Sequence, residues 1–590
     1  MQRESQRPKR EGPGGPSTPP ETQQQQEGAD PASPDPSRIW LPELVQRYAG
    51  SLHPNEVACA LRLVNKATAA QFRGPQDTTV RLSLPVPYHA FVQRWGGVGA
   101  LRSLTLHQRQ QLSSLTACSG SIANLEVLLA RDDAAACGPG DEALWAAAGA
   151  GQLEVCRWLR QQGCAWDRWT FYGAAKHGHQ AVCEWLLASG CPWSDWAAGM
   201  AASGGHVGLM DWLLGTGHEP DVGKLLAGVA EGCDLPTLQR LHSTYFTRQP
   251  DERLKERMMA FAAGSLTADW RAKVEWLEGQ GFPRRAEACK VAVEQPDGLG
   301  RLHWLQQRGY PLDVDVAWAA ASVGAVDALQ NMLESGVALD QRMVYDAARC
   351  AAEEGHLAVL QALHVRGFNI AGAAEAAAEH LSLPGVAWLV EALGAATVLS
   401  ARVFSSAAKL GDMELLAWLV ERLGAGEVLS ARVFSAAAKS GSMELLAWLH
   451  GRGCPWDESV FAAAARTGSE EQLEWLAARG CPMGEDGEAY MWAVTNGDLA
   501  ILGCLQRLGC PLGPKSGKVF ARAIERSSLM WAAPCHLFRL QRGLLWLLGQ
   551  DGSVVDCWDE AERVTQGLAH RREQEEELRT WVRAQRAQRM

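Results

Sequence analysis

The hydrophobic residues of the chain recur with helical spacing in short segments that end at glycine. Residues 149–164 show the pattern, and their apolar residues are Leu153, Val155, Cys156, Trp158 and Leu159. This stripe predicts an amphipathic helix about ten residues long. An alanine-rich stretch precedes it, which predicts a first helix that packs closely on its neighbours. Gly151 and Gly163 follow the two helices, where the chain must turn. The predicted unit is helix, tight turn, helix, loop.

The same unit recurs along most of the chain and is marked by a tryptophan seven residues after a glycine or another helix-breaking residue. These marker tryptophans are Trp158, Trp185, Trp212, Trp276, Trp304, Trp388, Trp418, Trp448 and Trp475. Where consecutive marker tryptophans are further apart, the marker position of the intervening unit is occupied by another residue, namely Leu241, Asn331, Ala362 or Cys504. Because the tryptophans lie in a stripe with helical spacing, we expect them to pack in the core between units.

Two units are near-duplicates. Residues 399–419 and 429–449 differ at three of 21 positions, with an offset of 30. A repeat array accommodates such a duplication, because each unit packs only on its neighbours. The pattern therefore predicts an all-α solenoid of about a dozen helix-turn-helix units between residues 115 and 513.

Composition divides the chain into four predicted regions. Residues 1–37 hold eight prolines and few apolar residues, so we expect a disordered tail. Residues 38–110 are predicted to form a small helical module with a connector, and residues 111–513 the repeat array. Residues 514–590 start with a leucine-rich capping helix. They end in a segment of balanced acids and arginines, which predicts a charged, solvated helix.

Several second helices begin with glycine and histidine. The segments are GHQAVCEWLLASG (178–190), GHVGLMDWLLGTG (205–217) and GHLAVLQALHVRG (355–367). They resemble the second helix of an ankyrin repeat, although the family's Thr-Pro-Leu-His signature is absent and its hairpin is shortened to a loop. The resemblance implies stacked helix pairs that bind other proteins.

Residues 38–72 predict two short helices. Leu41-Pro42 opens the first, His53-Pro54 interrupts the chain, and Asn55 is placed to cap the second. The segment resembles the F-box, which docks substrate receptors on the Skp-type adaptor of cullin-RING ubiquitin ligases. The matching residues are Leu41, Pro42, Leu52, Pro54, Arg62, Leu63, Val64, Lys66 and Phe72. The resemblance implies that the adaptor is bound by Leu41, Pro42, Leu52, Pro54, Leu63 and Val64. The alternative is a helical cap that seals the first repeat.

Net charge and cysteine content restrict the classes of partner and the cellular compartments that we expect for this protein. The formal net charge of −11 argues against nucleic acid as a partner, because nucleic-acid binding needs a basic face. No apolar run reaches the length of a membrane span. Sixteen cysteines without a recognisable signal peptide indicate a reducing compartment with free thiols. We expect a cytoplasmic location, with the nucleus as an alternative.

No pattern typical of catalysis is found. The nearest metal candidate combines Cys156, Cys164, Cys183 and Cys191 with His177 and His179. The cysteines recur with the repeat, so we interpret them as small core residues and expect no metal or cofactor. His179, His206 and His356 always follow glycine and are interpreted as turn residues. We therefore expect a protein that is not an enzyme; a hydrolase such as a lipid phosphodiesterase is a distant third hypothesis.

Large aromatic residues outside the marker stripe gather in two adjacent units. The predicted partner-binding residues are Trp166, Trp169, Tyr172, Trp193 and Trp196. Exposed tryptophan and tyrosine are frequent anchors of protein recognition. The alternative is that Trp166 and Trp193 fold back onto the next unit. Together these features predict a substrate receptor of a cullin-RING ubiquitin ligase. The runner-up is a repeat scaffold with no ubiquitin link.

Overall fold

The computed structural model describes the chain as helices and loops. The described residues are 40–129, 141–246, 251–337, 339–374, 378–381, 383–513, 516–527, 535–550, 558–567 and 573–589. Within these ranges there is no β-strand, and none of the helices is long and apolar enough to cross a membrane. The all-α prediction is therefore confirmed. The tail at residues 1–37 lies outside the described residues.

The N-terminal module consists of five short helices and a 3₁₀ turn. They are α1 (Pro42–Ala49), α2 (Pro54–Cys59), the 3₁₀ turn Leu61–Leu63, α3 (Lys66–Gln71), α4 (Pro75–Thr78) and α5 (Tyr88–Trp95). Pro42 and Pro54 each occupy a first helical turn, where a missing N–H costs nothing.

Helix pairs stack from residue 106 onward. The pairs are α6 (Leu106–Cys118) and α7 (Ile122–Leu129), α8 (Asp141–Gly149) and α9 (Leu153–Gln161), α10 (Arg168–Lys176) and α11 (Gln180–Ala188), α12 (Ala197–Ser203) and α13 (Val207–Gly215), α14 (Val222–Gly232) and α15 (Leu235–Tyr245), α16 (Glu252–Gly264) and α17 (Trp270–Gly279), α18 (Ala286–Val293) and α19 (Gly298–Gln307), α20 (Val314–Ser322) and α21 (Val326–Glu334), α22 (Gln341–Glu353) and α23 (Leu357–Val365). First helices pack on first helices, so the pairs form a layered solenoid.

The stack continues toward the C-terminus. A 3₁₀ turn (Ala371–Ala373) is followed by α24 (Leu383–Leu393), α25 (Ala395–Val398), α26 (Ala401–Leu410), α27 (Met413–Leu423), α28 (Ala425–Val428), α29 (Ala431–Ser440), α30 (Met443–Gly451), α31 (Glu458–Thr467), α32 (Glu470–Ala478), α33 (Glu488–Asn496), α34 (Leu499–Arg507), α35 (Ser516–Ser527), α36 (Cys535–Gly549), α37 (Trp558–Gly567) and α38 (Glu573–Arg589). The short helices α25 and α28 lengthen the two near-duplicate units.

Local chemistry fixes where these helices begin and end. The Asp167 carboxylate accepts the N–H groups of Trp169 and Thr170 at the start of α10, and Asp457 does the same for Ser459 at the start of α31. Gly411 (φ 77°) and Gly441 (φ 81°) end α26 and α29 in the left-handed region, which side chains rarely adopt. The sequence pattern of capped starts and glycine ends is therefore realised in three dimensions.

The core consists of alanines on the first helices and aliphatic residues on the second. Ala174 and Ala175 of α10 are fully buried, as are Cys183 and Leu186 of α11. Small residues let first helices approach closely: a Cβ on Gly228 of α14 would clash with a backbone carbonyl of α12. Because the array buries its core unit by unit, stability is distributed along it.

The marker tryptophans are not fully buried, so that prediction is wrong in degree. Each is half-buried on the outer side of a second helix and packs against the core. The fully buried position is the next one in the chain, such as Leu419 after Trp418 and Leu449 after Trp448. Arginine side chains stack over four of these rings, those of Trp304, Trp418, Trp448 and Trp475, and the Arg452 guanidinium lies 4.5 Å from the centre of the Trp448 ring.

The C-terminal charged helix is also more buried than predicted. Leu578 and Val582 of α38 are fully buried, and the guanidinium of Arg579 donates to the carbonyl oxygen of Thr565 on α37. The predicted solvated helix is thus amphipathic and packs on α37. Leu540 and Leu544 belong to the predicted capping helix. They lie on α36 and are fully buried in the hydrophobic core.

The first repeat contacts units near the other end of the array. Arg109 of α6 is buried, and its Nη2 donates to Asp498 Oδ2 (2.6 Å) and to the carbonyl oxygen of Gly468 (2.7 Å). Asp498 caps the start of α34 and is also buried. A buried ion pair of this kind is costly to break, since one charge is left without its partner.

Further contacts reinforce this junction. Arg102 forms ion pairs with Glu470 and Glu474 of α32, and Arg539 of α36 pairs with Glu142 of α8 at 2.7 Å. The residues joined are up to 397 positions apart in sequence. The array therefore bends until its ends meet, and the structure is a closed solenoid.

Candidate functional site

The F-box-like segment has a small core of its own. Val45, Val57, Leu61 and Phe72 are buried together, and Leu52 packs against them. Asn55 does not cap α2 as predicted. Its side-chain amide is buried, donates to the carbonyl oxygens of residues 81, 84 and 85, and accepts the N–H of Arg81. His53 occupies the cap position instead. Asn55 thus fastens the segment to the loop that follows it.

Several large apolar side chains of this segment are exposed. The exposed apolar residues include five with large side chains, namely Trp40, Leu41, Tyr48, Leu63 and Val64. Pro42 and Pro54 are exposed as well. The side chain of Gln71 donates to the carbonyl oxygen of Pro42 (2.9 Å), which holds α3 against the start of α1. Apart from Leu52, the predicted adaptor-binding residues are therefore accessible to a partner.

Another part of the segment faces the array. Ala58 and Cys59 of α2 are buried against Phe91 of α5, and the same cluster includes Leu112 and Leu128 of the first repeat. This packing is what a cap for the first repeat requires. The segment therefore combines a buried contact with the array and several exposed apolar side chains.

The predicted aromatic residues separate into two groups. Trp169 lies edge-on to Tyr172 (5.6 Å between ring centres) and to Trp196 (5.8 Å), and the Lys224 ammonium lies over Trp196. Trp145 of α8 reaches the same area, because Gly173 leaves space for its ring. We call Trp145, Trp169, Tyr172 and Trp196 the aromatic patch. Trp145 and Trp169 are 47% and 37% exposed.

Trp166 and Trp193 pack elsewhere. Trp166 is half-buried beneath the Arg160 guanidinium and edge-on to the marker Trp185. Trp193 is half-buried between the core ring of Phe171 and the stacked ring of His218. These two rings contact residues of the units before and after them and lie outside the aromatic patch. Their role in partner binding stays a prediction.

A groove of about 720 Å³ lies on the first helices of the near-duplicate units and their neighbours. We call it the basic groove, and it is lined by Glu379, Arg402, Ser405, Ser406, Lys409, Arg432, Ser435, Ala436, Lys439, Asp457 and Ser459. Four of these residues are basic and four are serines. This site was not predicted from the sequence, although arginine and lysine recur seven residues apart in both units.

The positive charges of the groove are poorly compensated. In the part of the chain that the structure describes, no carboxylate lies within 4 Å of the charged groups of Arg402, Lys409, Arg432 or Lys439. The pKa of Lys439 is lowered from its usual value, first because the protein partly desolvates its ammonium, then because Arg466 and Lys409 are positive neighbours. An anion in the groove would relieve this repulsion.

The glycine-histidine turns link neighbouring units. His179 Nε2 lies 3.0 Å from the carbonyl oxygen of Gly149 in the preceding unit, so this nitrogen carries the hydrogen. A Cβ on Gly151 would clash with the same imidazole, and His206 and Gly178 are related in the same way. The interpretation of these histidines as turn residues is incomplete, because their rings also join two units.

Lysine and arginine replace histidine further along. The Lys273 ammonium is fully buried and donates to the carbonyl oxygens of Ala230 and Cys233 and to Ser265 Oγ. Burial lowers its pKa to about 8. Arg301 makes the equivalent bonds to the carbonyl oxygens of Ala263 and Ser265. These cations satisfy carbonyl groups at first-helix ends, which is a structural role.

The cysteines considered as metal ligands behave as core residues. Cys156, Cys164, Cys183 and Cys191 are buried. Burial raises the pKa of Cys156, Cys183 and Cys191 to about 12. A thiol with such a pKa stays protonated at neutral pH, and a buried protonated thiol packs as a small apolar group.

No protein-family model matches the chain, and no curated protein matches it. Its helices are similar to two crystal structures of the pentatricopeptide repeat protein PPR10 in complex with an 18-nt psaJ RNA element. Each shares 16% sequence identity, covers 86% of this chain and 96% of the other, and has a TM-score of 0.24. PPR10 from maize shares 12% identity, with coverages of 88% and 92% and a TM-score of 0.21.

These values carry neither the shape nor the ligand of PPR10 over to this chain, which is an α-helical repeat protein by its own stacked pairs. The prediction that nucleic acid is not a partner is nevertheless contradicted by the RNA complexes and is withdrawn. The physical reason is that a net charge of −11 is an average over the chain. The basic groove shows that individual faces depart from it.

Proposed function

We propose that this protein is a non-catalytic binding scaffold that recruits a target protein to a cullin-RING ubiquitin ligase. In this proposal the repeat array holds the target and the F-box-like segment binds a Skp-type adaptor. The observation that carries the proposal is the exposure of large apolar side chains in that segment, notably Leu41, Leu63 and Val64. Exposed apolar patches on a folded protein are frequent sites of protein association.

The resemblances found in the sequence support the same division of labour. Leu41, Pro42, Leu52, Pro54, Leu63 and Val64 match the F-box, and the glycine-histidine units resemble ankyrin repeats, which bind proteins. The aromatic patch is the proposed target-binding surface, because Trp145 and Trp169 are exposed on helices and Tyr172 and Trp196 support them as half-buried neighbours. The cytoplasm, or the nucleus, is the proposed location.

The test is direct binding of a purified Skp-type adaptor to the full chain. We expect Leu63→Ala combined with Val64→Ala to weaken binding at least tenfold, about 1.4 kcal/mol. Val365→Ala is the matched control, because Val365 is equally apolar, 84% exposed and lies in the array. It should leave binding unchanged.

The main alternative is a scaffold without a ubiquitin link. It is favoured by the buried contact of Ala58 and Cys59 with the first repeat, since a cap needs that face only. If the adaptor does not bind the intact protein at micromolar concentration, the ligase proposal is wrong and the scaffold remains. A hydrolase is the third alternative and would require turnover of a lipid phosphodiester by the purified chain.

A further inference from the structure

We propose that the basic groove binds an extended, acidic segment of a protein partner, in which carboxylate or phosphate groups recur three residues apart. This inference deepens the proposed scaffold function, because it names the chemistry of a bound segment. It does not depend on the adaptor.

Each near-duplicate unit presents the same set of donors. Arg402 and Lys409 are seven residues apart on α26, so they lie on one face about 10 Å apart along the helix. Arg432 and Lys439 are placed in the same way on α29. All four side chains are exposed. The four serine hydroxyls of the lining already donate within the protein, to the carbonyl oxygens of Ala401 and Ser459 and to the carboxylates of Glu379 and Asp457. The donors left for an anion are therefore the four cations.

The spacing of the units sets the spacing of the ligand's charges. Packed helices lie about 8–10 Å apart. A peptide in the extended polyproline II conformation advances about 3.1 Å per residue and returns its side chains to the same face at every third residue. One anionic group for each of α26 and α29 therefore requires charged residues three positions apart, with two residues between them. The groove also reaches Ser459 of α31, which gives room for about six extended residues.

The lining favours a peptide over single-stranded nucleic acid. Single-stranded nucleic acids are usually bound by a positive groove together with aromatic rings on which bases stack. The lining residues of the basic groove include no aromatic side chain. Glu379 and Asp457 flank the cations on either side, where they would repel a continuous phosphate backbone. A peptide with acids at its centre and neutral or basic flanks avoids that repulsion.

The experiment uses the full chain and fluorescein-labelled nine-residue peptides of glycine and alanine. One peptide carries two phosphoserines three positions apart, one carries two glutamates so placed, and one carries adjacent phosphoserines. A nine-nucleotide single-stranded RNA is the fourth probe. We expect fluorescence anisotropy to show binding of the first peptide, the second or both, and at least tenfold weaker binding of the third.

Two variants test the site. Lys409→Gln combined with Lys439→Gln should weaken binding at least tenfold. Lys176→Gln should leave it unchanged, because Lys176 is exposed and occupies the same helical position in α10, beside the aromatic patch. Circular dichroism should show the same melting for both variants. The adaptor should still bind the double variant, and the Leu63→Ala, Val64→Ala variant should still bind the peptide, so failure of one proposal is separable from failure of the other.

Three results would overturn the inference. The first is absence of binding of both spaced peptides at high micromolar concentration. The second is binding that the double variant leaves unchanged. The third is tighter binding of the RNA than of either spaced peptide, lost in the double variant, which would make the groove a nucleic-acid site.

Discussion

Helix α10 in the aromatic patch and helix α29 in the basic groove have the same inner half and opposite outer halves. Phe171, Ala174 and Ala175 of α10 correspond to Phe434, Ala437 and Ala438 of α29, and all six are buried. On the exposed side, Trp169 corresponds to Arg432. Packing fixes the inner positions, since each repeat must fit its neighbours. The outer positions are free to differ, so one scaffold presents two chemically distinct surfaces.

The largest expected effect tests whether the two inner halves are equivalent. Phe171→Ala and Phe434→Ala should each lower the free energy of unfolding by about 3–5 kcal/mol, because each leaves a cavity beneath a first helix. Chemical unfolding of the two variants measures this. If one variant is strongly destabilised and the other is not, the two phenylalanines differ in packing and the two inner halves are not equivalent.

A second prediction compares neighbouring residues of α27. Leu419 is fully buried, whereas Trp418 is half-buried on the outer side. We expect Leu419→Ala to cost about 2–5 kcal/mol and Trp418→Ala clearly less. Thermal and chemical unfolding of both variants check the order. The reverse order would restore the marker tryptophan to the core.

A third prediction sharpens the contrast between the surfaces. Trp169→Ala should weaken capture of partner proteins from a cell lysate by about 2 kcal/mol in binding free energy and leave melting nearly unchanged. Trp318→Ala is the control, because Trp318 is also exposed on a first helix but outside the patch. If Trp169→Ala instead lowers melting and capture follows the amount of folded protein, the aromatic patch is structural.

The smallest expected effect is a pH dependence of stability that comes from His179, in a glycine-histidine turn next to the aromatic patch. Burial lowers the pKa of His179, and the positive charges of His177 and His206 add to this. The unfolded chain therefore binds a proton more readily than the folded one, so stability falls as the pH drops through the ordinary histidine range. Unfolding at pH 7.5 and pH 5.5 should show this loss in the native protein and a smaller one in His179→Gln. An identical loss in both would mean that His179 does not contribute.

The helices and turns within each repeat could be predicted from the sequence. The long-range contacts and the packing of the loop side chains could not. Helix pairs, glycine ends and buried cysteines follow from local periodicity, which is why those predictions agree with the structure. The burial of Trp418 was overestimated, because helical spacing shows which stripe a residue shares but not how deep it lies. The partner of Arg109 could not be predicted, since Asp498 is 389 positions away and no periodic signal connects them. Trp166 and Trp193 were grouped with the aromatic patch because spacing alone does not distinguish a loop ring that folds inward.

The closing contact between Arg109 and Asp498 gives the array a property that open solenoids lack. An open stack has two free ends from which units fray one at a time, whereas a closed stack must first release its junction. Closure also makes the number of units important. Every unit adds to the curvature of the stack, so one unit more or fewer would move Asp498 away from Arg109. The near-duplicate unit at residues 429–449 therefore helps to set the distance between Arg109 and Asp498. Its deletion would disrupt this ion pair as well as the contacts with the adjacent units.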